Sequence, residues 1–433
     1  MRTHLALTAT AALALAAPAG AATYPPPSNP GQVPSPRAGG AATLRVCPQR
    51  SCTYRTIQSA VNAARAGDRI AVAAGIYRGG VKINGPAKDR LKLIGDARRP
   101  LRVVIDARGG QNSVSINNSD GVTVNGFAVR NYKANGVLAA NVDGYLLTNL
   151  VAQGTGVYGL FAFNSKGGTM SNSEAYNHND AGFYVGQTPP QTRPKRTLIT
   201  NVKAHTNVLG FSGTNMRYTT ITRSQWFNNA VGIVPNALSS EKFPPPSDNV
   251  ITRNQVFWNN FNYFAGAPFK VKPPAADAFP YPPGSGIILF GSQRTVVEDN
   301  DVYGNWLVGA AMIQQIILAG NSNPGLREAA TLRRNTFRNN RFGLGGADLN
   351  GRDMGYDGTG TENCFSGNVT LSPNLPENNA TFAPCPGPAA NTFDPKVHET
   401  VLAIAGDTTH EAYWLRHPHK PKAGITPLEH WSR

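Results

Sequence analysis

The chain has 433 residues, with 41 Lys and Arg against 25 Asp and Glu, a formal net charge of +16, and only 15% charged residues. This composition excludes a coiled coil or long-helix protein, and 45 Gly with 33 Pro stay below the share of a low-complexity disordered chain. Asparagine, at 40 residues, outnumbers all the acids together and stops at Asn391, which points to many turns.

Met1, Arg2 and His4 precede an apolar run from Leu5 to Ala17, followed by Pro18 and the triplet Ala19-Gly20-Ala21. This is the pattern of a secretory signal peptide over residues 1–22. The run is 13 residues long, shorter than the roughly 20 that a spanning helix needs, so a secreted or extracellular protein with no membrane span is expected. Residues 23–42, with six prolines between Pro25 and Pro36, read as an extended linker. A single repeat domain is expected over residues 43–369, with a less regular C-terminal cap and tail over 370–433. In an exported chain Cys47, Cys52, Cys364 and Cys385 suit two disulfides, and neither local pair has the CxxC spacing of a zinc site. Three pairings are open; the local one, Cys47 with Cys52 and Cys364 with Cys385, is expected.

Between Tyr54 and Ala64 the apolar positions Ile57, Ala60, Val61 and Ala64 follow helical spacing up to a stop at Gly67. A helix here would cap the open end of a stack of strands. From Val114 onward a Gly followed by an alternating apolar run recurs at Gly136, Gly159 and Gly182, 23 residues apart both times. The phase returns at Gly210, Gly232, Gly286, Gly309 and Gly343. Asn149, Asn172, Asn201, Asn254, Asn300 and Asn335 are read as one position of the unit, and Asn131, Asn207, Asn229, Asn260, Asn305 and Asn340 as another. Units of this length bury their apolar side only by stacking, so an all-β parallel β-helix is expected, with Asn in its turns and amide ladders. A leucine-rich solenoid lacks its Leu pattern here, and propeller blades are longer.

The run Thr56-Ile57-Gln58-Ser59-Ala60-Val61, then Ala66-Gly67-Asp68-Arg69-Ile70 and Ala74-Gly75-Ile76-Tyr77, and the Asn and Gly repeats to about Asn368 resemble the right-handed parallel β-helix proteins of the pectate lyase-like superfamily. The resemblance covers about three quarters of the chain. It implies a right-handed solenoid but no single activity, because the superfamily includes lyases, esterases, hydrolases, epimerases and proteins without known chemistry.

In such a solenoid the strand after each Gly forms a sheet whose outer face is a groove. Alternation assigns to it Ser115, Asn117, Leu138, Ala140, Phe161, Phe163, Tyr184, Ser212, Thr214, Val234, Asn236, Ile288 and Phe290. No carboxylate stands among them, which disfavours hydrolysis by a carboxyl pair and a calcium-dependent lyase site. Asp120 and Asp143, each before a Gly, read as turn residues. Three proline-rich insertions, at 186–196, 236–248 and 261–285, are expected to wall the groove and to bring Arg193, Lys195, Arg196, Lys242, Lys270 and Lys272. Cations around an aromatic floor of Phe161, Phe163 and Tyr184, with Ser212 and Asn236, suit an acidic polysaccharide. His178, Asp180 and His205 in the preceding turns, with Tyr184, supply the parts of a lyase or uronate C5-epimerase: a basic residue on the uronate, a histidine base oriented by Asp180, and a tyrosine donor. The alternative is a non-catalytic surface or adhesion protein that binds anionic polymers. Nucleic acid is not expected as a partner, since no recognition motif accompanies the charge, and a monomer is expected. No cofactor is required by this chemistry. Asp348, Asp353 and Asp357, with Asn350 and Glu362, form an acidic loop where calcium is considered, although Asp353 stands where an EF-type loop needs Gly. His410, His417, His419 and His430 read as a solvated tail.

Overall fold

The computed structural model describes residues 40–49, 51–154, 156–261, 281–314, 324–397 and 399–400. The expected signal peptide, the linker up to residue 39, Lys270, Lys272 and the tail histidines lie outside them.

The runs that follow the repeated glycines are strands, each hydrogen bonded in parallel to its counterpart one coil away. Ten of them, from Val81–Asn84 through Asn112–Asn117, Asn135–Ala140, Tyr158–Phe163, Ala181–Gly186, Leu209–Thr214, Val231–Asn236, Ser285–Phe290 and Val308–Ile313 to Met354–Tyr356, form one sheet in chain order. The strands between them form a second, 18-stranded parallel sheet, so the chain winds repeatedly through both as a parallel β-helix. Described helices are short. In Ile57–Ala63, Thr56 accepts a hydrogen bond from Ser59 N at 3.1 Å, and Ile57, Ala60 and Val61 are buried. At its C-terminal end Lys88 Nζ donates to the carbonyls of Val61 at 2.7 Å and Ala64 at 2.5 Å, answering orphan acceptors.

The interior is a column of residues in register: Val114, Val137, Leu160, Phe183, Phe211, Ile233, Ile287, Ala310 and Met354. Glycine recurs beside this column because the coils approach too closely for a side chain. A Cβ would lie 2.6 Å from the Gly159 carbonyl oxygen at Gly136, 2.5 Å from that of Gly232 at Gly210, and 2.6 Å from that of Gly286 at Gly232. Gly343 breaks the expected phase: it sits in a left-handed turn at φ 67°, and the next strand of the ten-stranded sheet is Met354–Tyr356.

Buried asparagines run along the corners as hydrogen-bonded ladders, in groups that differ from the expected ones. Asn149, Asn172 and Asn201 hold left-handed corners. One residue further along the coil lies the inward ladder Asn254–Asn300–Asn340–Asn368, with amide contacts of 2.9–3.0 Å. Asn207, Asn229, Asn259, Asn305 and Asn350 form a second ladder, and Asn335, Asn363 and Asn391 belong to a third. Each inward amide also satisfies backbone groups of the neighbouring coil, which is why polar side chains tolerate full burial here. Cys47 is bonded to Cys52 and Cys364 to Cys385, the local pairing.

Candidate functional site

The outer face of the ten-stranded sheet carries the columns that alternation assigns to it. Ser115, Leu138, Phe161, Tyr184, Ser212 and Val234 are aligned in one, and Thr214, Asn236 and Phe290 in another. This face is not the open groove expected over its whole length. Leu138, Phe161, Tyr184, Val234, Ile288, Phe290 and Ile313 are all buried and join Val397 and Phe261 in a second apolar cluster.

Within that cluster an aromatic nest surrounds two carboxyl groups. Tyr158, Phe161 and Tyr184 pack with ring centroids 4.6–4.7 Å apart, and Phe163 lies edge-on to Phe161 at 5.6 Å. Tyr158 donates its hydroxyl hydrogen bond to Asp180 Oδ2 at 3.3 Å, and Tyr184 donates to Glu241 Oε1. Glu241 arrives from the insertion after Val231–Asn236 and lies over Gly186, where a Cβ would meet its Oε2 at 2.6 Å. Lys242 N of the same loop donates to Gln187 Oε1 at 2.9 Å, which joins two of the insertions. Asn236 Nδ2 donates to the Tyr281 hydroxyl at 3.0 Å. Burial pushes the Asp180 carboxyl up to about 7. Burial, helped by the charge of Asp180, pushes Glu241 up to about 8. Burial also holds the Tyr158 and Tyr184 hydroxyls well above their ordinary value, so both are donors at neutral pH. Asp180 Oδ1, Glu241 Oε2 and Asn236 Oδ1 are buried with no hydrogen-bond partner among the described residues. Buried polar atoms without partners are uncommon in folded proteins and concentrate where a further polar group can be taken up.

The two histidines expected beside Tyr184 lie elsewhere. His178 is fully buried; its Nδ1–H donates to Asn207 Oδ1 at 2.8 Å, and the Tyr132 hydroxyl donates to its Nε2 at 2.5 Å. Burial pushes it down to about 4, so it is a neutral member of an asparagine ladder. His205 belongs to the other sheet, stacked between Tyr176 and Phe227 at 5.1 Å from each, with Nε2 3.1 Å from Glu174 Oε1. Asp180 therefore pairs with a tyrosine and not with a histidine. Among the expected cations, Lys195 is taken by Asp143 at 2.7 Å and Arg196 by the Asp248 carbonyl at 3.1 Å, whereas Arg193 is exposed. Ser212 is buried between Tyr184 and Val234 in its column. Glu241 stands outside the alternation of the groove strands, since it lies beyond the end of Val231–Asn236. The available signal was an acid in a long insertion directly after a groove strand.

In the acidic C-terminal loop the aspartates accept hydrogen bonds from the protein's own groups. Asp353 accepts from Leu371 N at 2.5 Å and Ser372 N at 2.6 Å, Asp357 from Thr359 N at 2.9 Å and Gln314 N at 2.7 Å, and Asp348 from the Trp258 indole. Among the described residues no three His, Cys, Asp or Glu side chains gather as metal ligands. No described helix is long and apolar enough to cross a membrane.

The model of the right-handed β-helix region matches residues 112–385, more than half of the chain. The chain belongs to the right-handed β-helix family. Among solved structures this β-helix is similar to the A-module of the mannuronan C-5 epimerase AlgE4 of Azotobacter vinelandii, at 17% identity and a TM-score of 0.44 over 73% of this chain and 90% of that one. It is also similar to an alginate lyase of Paenibacillus sp. str. FPU-7, at 17% identity and a TM-score of 0.37 over 77% of this chain and 97% of that one. The periplasmic alginate epimerase AlgG matches at 13% identity, with a TM-score of 0.41 over 71% of this chain and 77% of that one. At these identities the likeness is one of fold. No curated protein matches the chain.

Proposed function

We propose that this β-helix protein recognises an acidic extracellular polysaccharide and acts on it by lyase or C5-epimerase chemistry at the nest around Tyr184. The observation that carries the reading is the pair of tyrosine–carboxyl contacts, Tyr158 with Asp180 and Tyr184 with Glu241, on one aromatic floor. Both reactions begin with removal of the proton next to the uronate carboxyl and end with proton delivery, to the leaving oxygen in elimination or to the opposite ring face in epimerisation. Asp180, with a pKa of about 7, takes the C5 proton; Tyr184 delivers one and is replenished by Glu241, which holds a proton up to about pH 8. A protonated Glu241 also lets an anionic sugar approach. Arg193, exposed in the insertion that follows Ala181–Gly186, is assigned the uronate carboxylate in this reading. The two disulfides suit an oxidising compartment, and export by the N-terminal signal belongs to the same proposal, as does closure of the first coil by the helix Ile57–Ala63.

The low exposure of Tyr184 at 3% and Phe161 at 5% favours a second reading, a non-catalytic protein that binds anionic polymers through its positive surface. Incubation of the chain from Thr23 with a panel of uronate polymers separates the two. Ultraviolet absorbance of unsaturated uronate, or solvent proton exchange into C5, is expected and should be abolished by Tyr184→Phe and Glu241→Gln. A flat trace in both assays on every polymer selects the binding protein.

A further inference from the structure

A second candidate site lies on the 18-stranded sheet, away from the aromatic nest. Where the strands Thr219–Thr222 and Gln225–Phe227, Val250–Thr252 and Gln255–Phe257 bend around their shared corner, a cleft of about 660 Å³ opens with a polar lining. Lys203, Arg223 and Arg253 line one part of it, and the acids Asp299 and Asp301 the other. Arg223 and Arg253 occupy the left-handed corner, at φ 50° and 55°, that Asn201 holds at 51° one coil earlier.

Elsewhere an arginine of these coils meets an acid on a neighbouring coil. Arg294, itself at φ 48°, is bonded to Asp248 at 2.7 Å, Arg338 to Glu298 at 2.6 Å, Arg341 to Asp301 at 2.7 Å, and Arg334 to Glu362. Arg223 and Arg253 have no ion pair among the described residues, and both are exposed. The acid nearest to Lys203 in register, Glu174, is engaged by His205. Two corner arginines in the place of asparagine, on consecutive coils and without an ion pair among the described residues, therefore present their charge outward, and Asp299 ends the basic run at the same corner one coil on. Between them Gln225 Nε2 donates to Gln255 Oε1 at 2.8 Å, which places amide groups beside the charges.

We propose that this cleft binds a linear anionic polysaccharide along the axis of the β-helix. Consecutive coils repeat at about 4.8 Å, a spacing close to the rise of one sugar unit in an extended chain. Carboxylates or sulfates on successive sugars then meet Lys203, Arg223 and Arg253 in turn, and the glutamine amides meet hydroxyls. The site stands whether or not the Tyr184 nest acts on sugar, and in a processive enzyme it would hold the chain outside the reacting subsites.

The test is fluorescence anisotropy of a labelled oligogalacturonate with the full mature chain and four variants. Arg223→Asn with Arg253→Asn restores the residue that the corner favours, so the fold is preserved, and circular dichroism checks it. The dissociation constant is expected to rise at least about tenfold, with a weaker salt dependence. Lys at both positions should keep binding within about threefold, since the charge remains. Removing two other exposed cations, by Arg98→Gln with Arg99→Gln, should change it by less than about twofold. Equal losses in the two charge-removing variants would reduce the binding to general attraction and overturn the site. So would a tenfold loss in Tyr184→Phe with Glu241→Gln beside no loss in the Asn pair, which would seat the polymer on the other sheet.

Discussion

Replacement of Asn300 by Ala tests whether the inward ladder holds the coils together. Asn300 is fully buried; its Nδ2 donates to Asn340 Oδ1 and to the Ile251 carbonyl, both at 2.9 Å. Its Oδ1 accepts from Asn254 N and Asn254 Nδ2, both at 3.0 Å. Asn340 Oδ1 keeps the Asn300 backbone N–H at 3.1 Å, and Asn254 Nδ2 keeps the carbonyls of Ile221 and Thr252. The Asn254 N–H is deprived of its acceptor and the Ile251 carbonyl of one of its donors, both at fully buried positions. At about 1–3 kcal/mol for each buried group left unmade, the loss should be about 4 kcal/mol. Asn201→Ala is the internal comparison: its amide donates to Asn172 Oδ1 at 2.7 Å on an exposed corner, where water replaces the partner, and about 1 kcal/mol is expected. Urea unfolding followed by circular dichroism gives both values, and amide exchange at Asn254 reports the orphaned donor directly. If Asn300→Ala costs no more than Asn201→Ala, with Asn254 still protected, the ladder is decoration and the reasoning fails.

Three further outcomes follow from the same geometry. Folding raises Glu241 from its ordinary 4.5 to about 8 and Asp180 from 3.8 to about 7, so the stability they contribute is full below the lower values and is lost as pH rises through the upper ones. His178, lowered from 6.5 to about 4, acts oppositely and contributes nothing to the slope above 6.5. The melting temperature should therefore fall between pH 6.5 and 8.5, and Glu241→Gln should flatten that fall; an unchanged slope would show that Glu241 is not held protonated. Removing the Cys364–Cys385 bond, with its separation of 21 residues, should cost about 3 kcal/mol, and removing Cys47–Cys52, separated by 5, less. Equal shifts in thermal unfolding would contradict the difference in loop closure. Gly232→Ala should cost about 2–3 kcal/mol, since its Cβ meets a backbone oxygen that cannot swing aside; a neutral result in urea unfolding would mean that the coils separate freely.

The solenoid was legible because stacking leaves a chemical trace at each turn of the chain. The glycines from Gly136 to Gly309 recur where a carbonyl of the next coil approaches, and the alternation after them gave the outer columns of the ten-stranded sheet correctly. The asparagines were harder. Asn201 and Asn254 differ by one residue in phase, yet one holds an exposed corner and the other a buried ladder, and insertions of unequal length hide that shift. The same blurring placed His178 and His205 beside Tyr184. Alternation gives the facing of a strand residue, but a corner residue turns inward or outward according to its φ, and His178 turned into the ladder. Glu241 was harder for a different reason: its sequence signal is only an acid in a long insertion, and its place at the nest depends on how that insertion folds back over Gly186, a tertiary event with no local periodicity.

The two disulfides sit near opposite ends of the described stack, Cys47 just after the first strand and Cys364 in the last strand of the larger sheet. A one-dimensional array ordinarily frays from its ends, where each terminal coil has a neighbour on one side only. Only Cys364–Cys385 ties one coil to the next, beside the pairing of Phe365 with Pro384, whereas Cys47–Cys52 closes a loop within its own coil, so fraying is restrained at the C-terminal end of the stack and not at the other. Reducing agents would thus release the C-terminal end to fray as the other end already can, and proteolytic nicks would spread to the coils around Cys364.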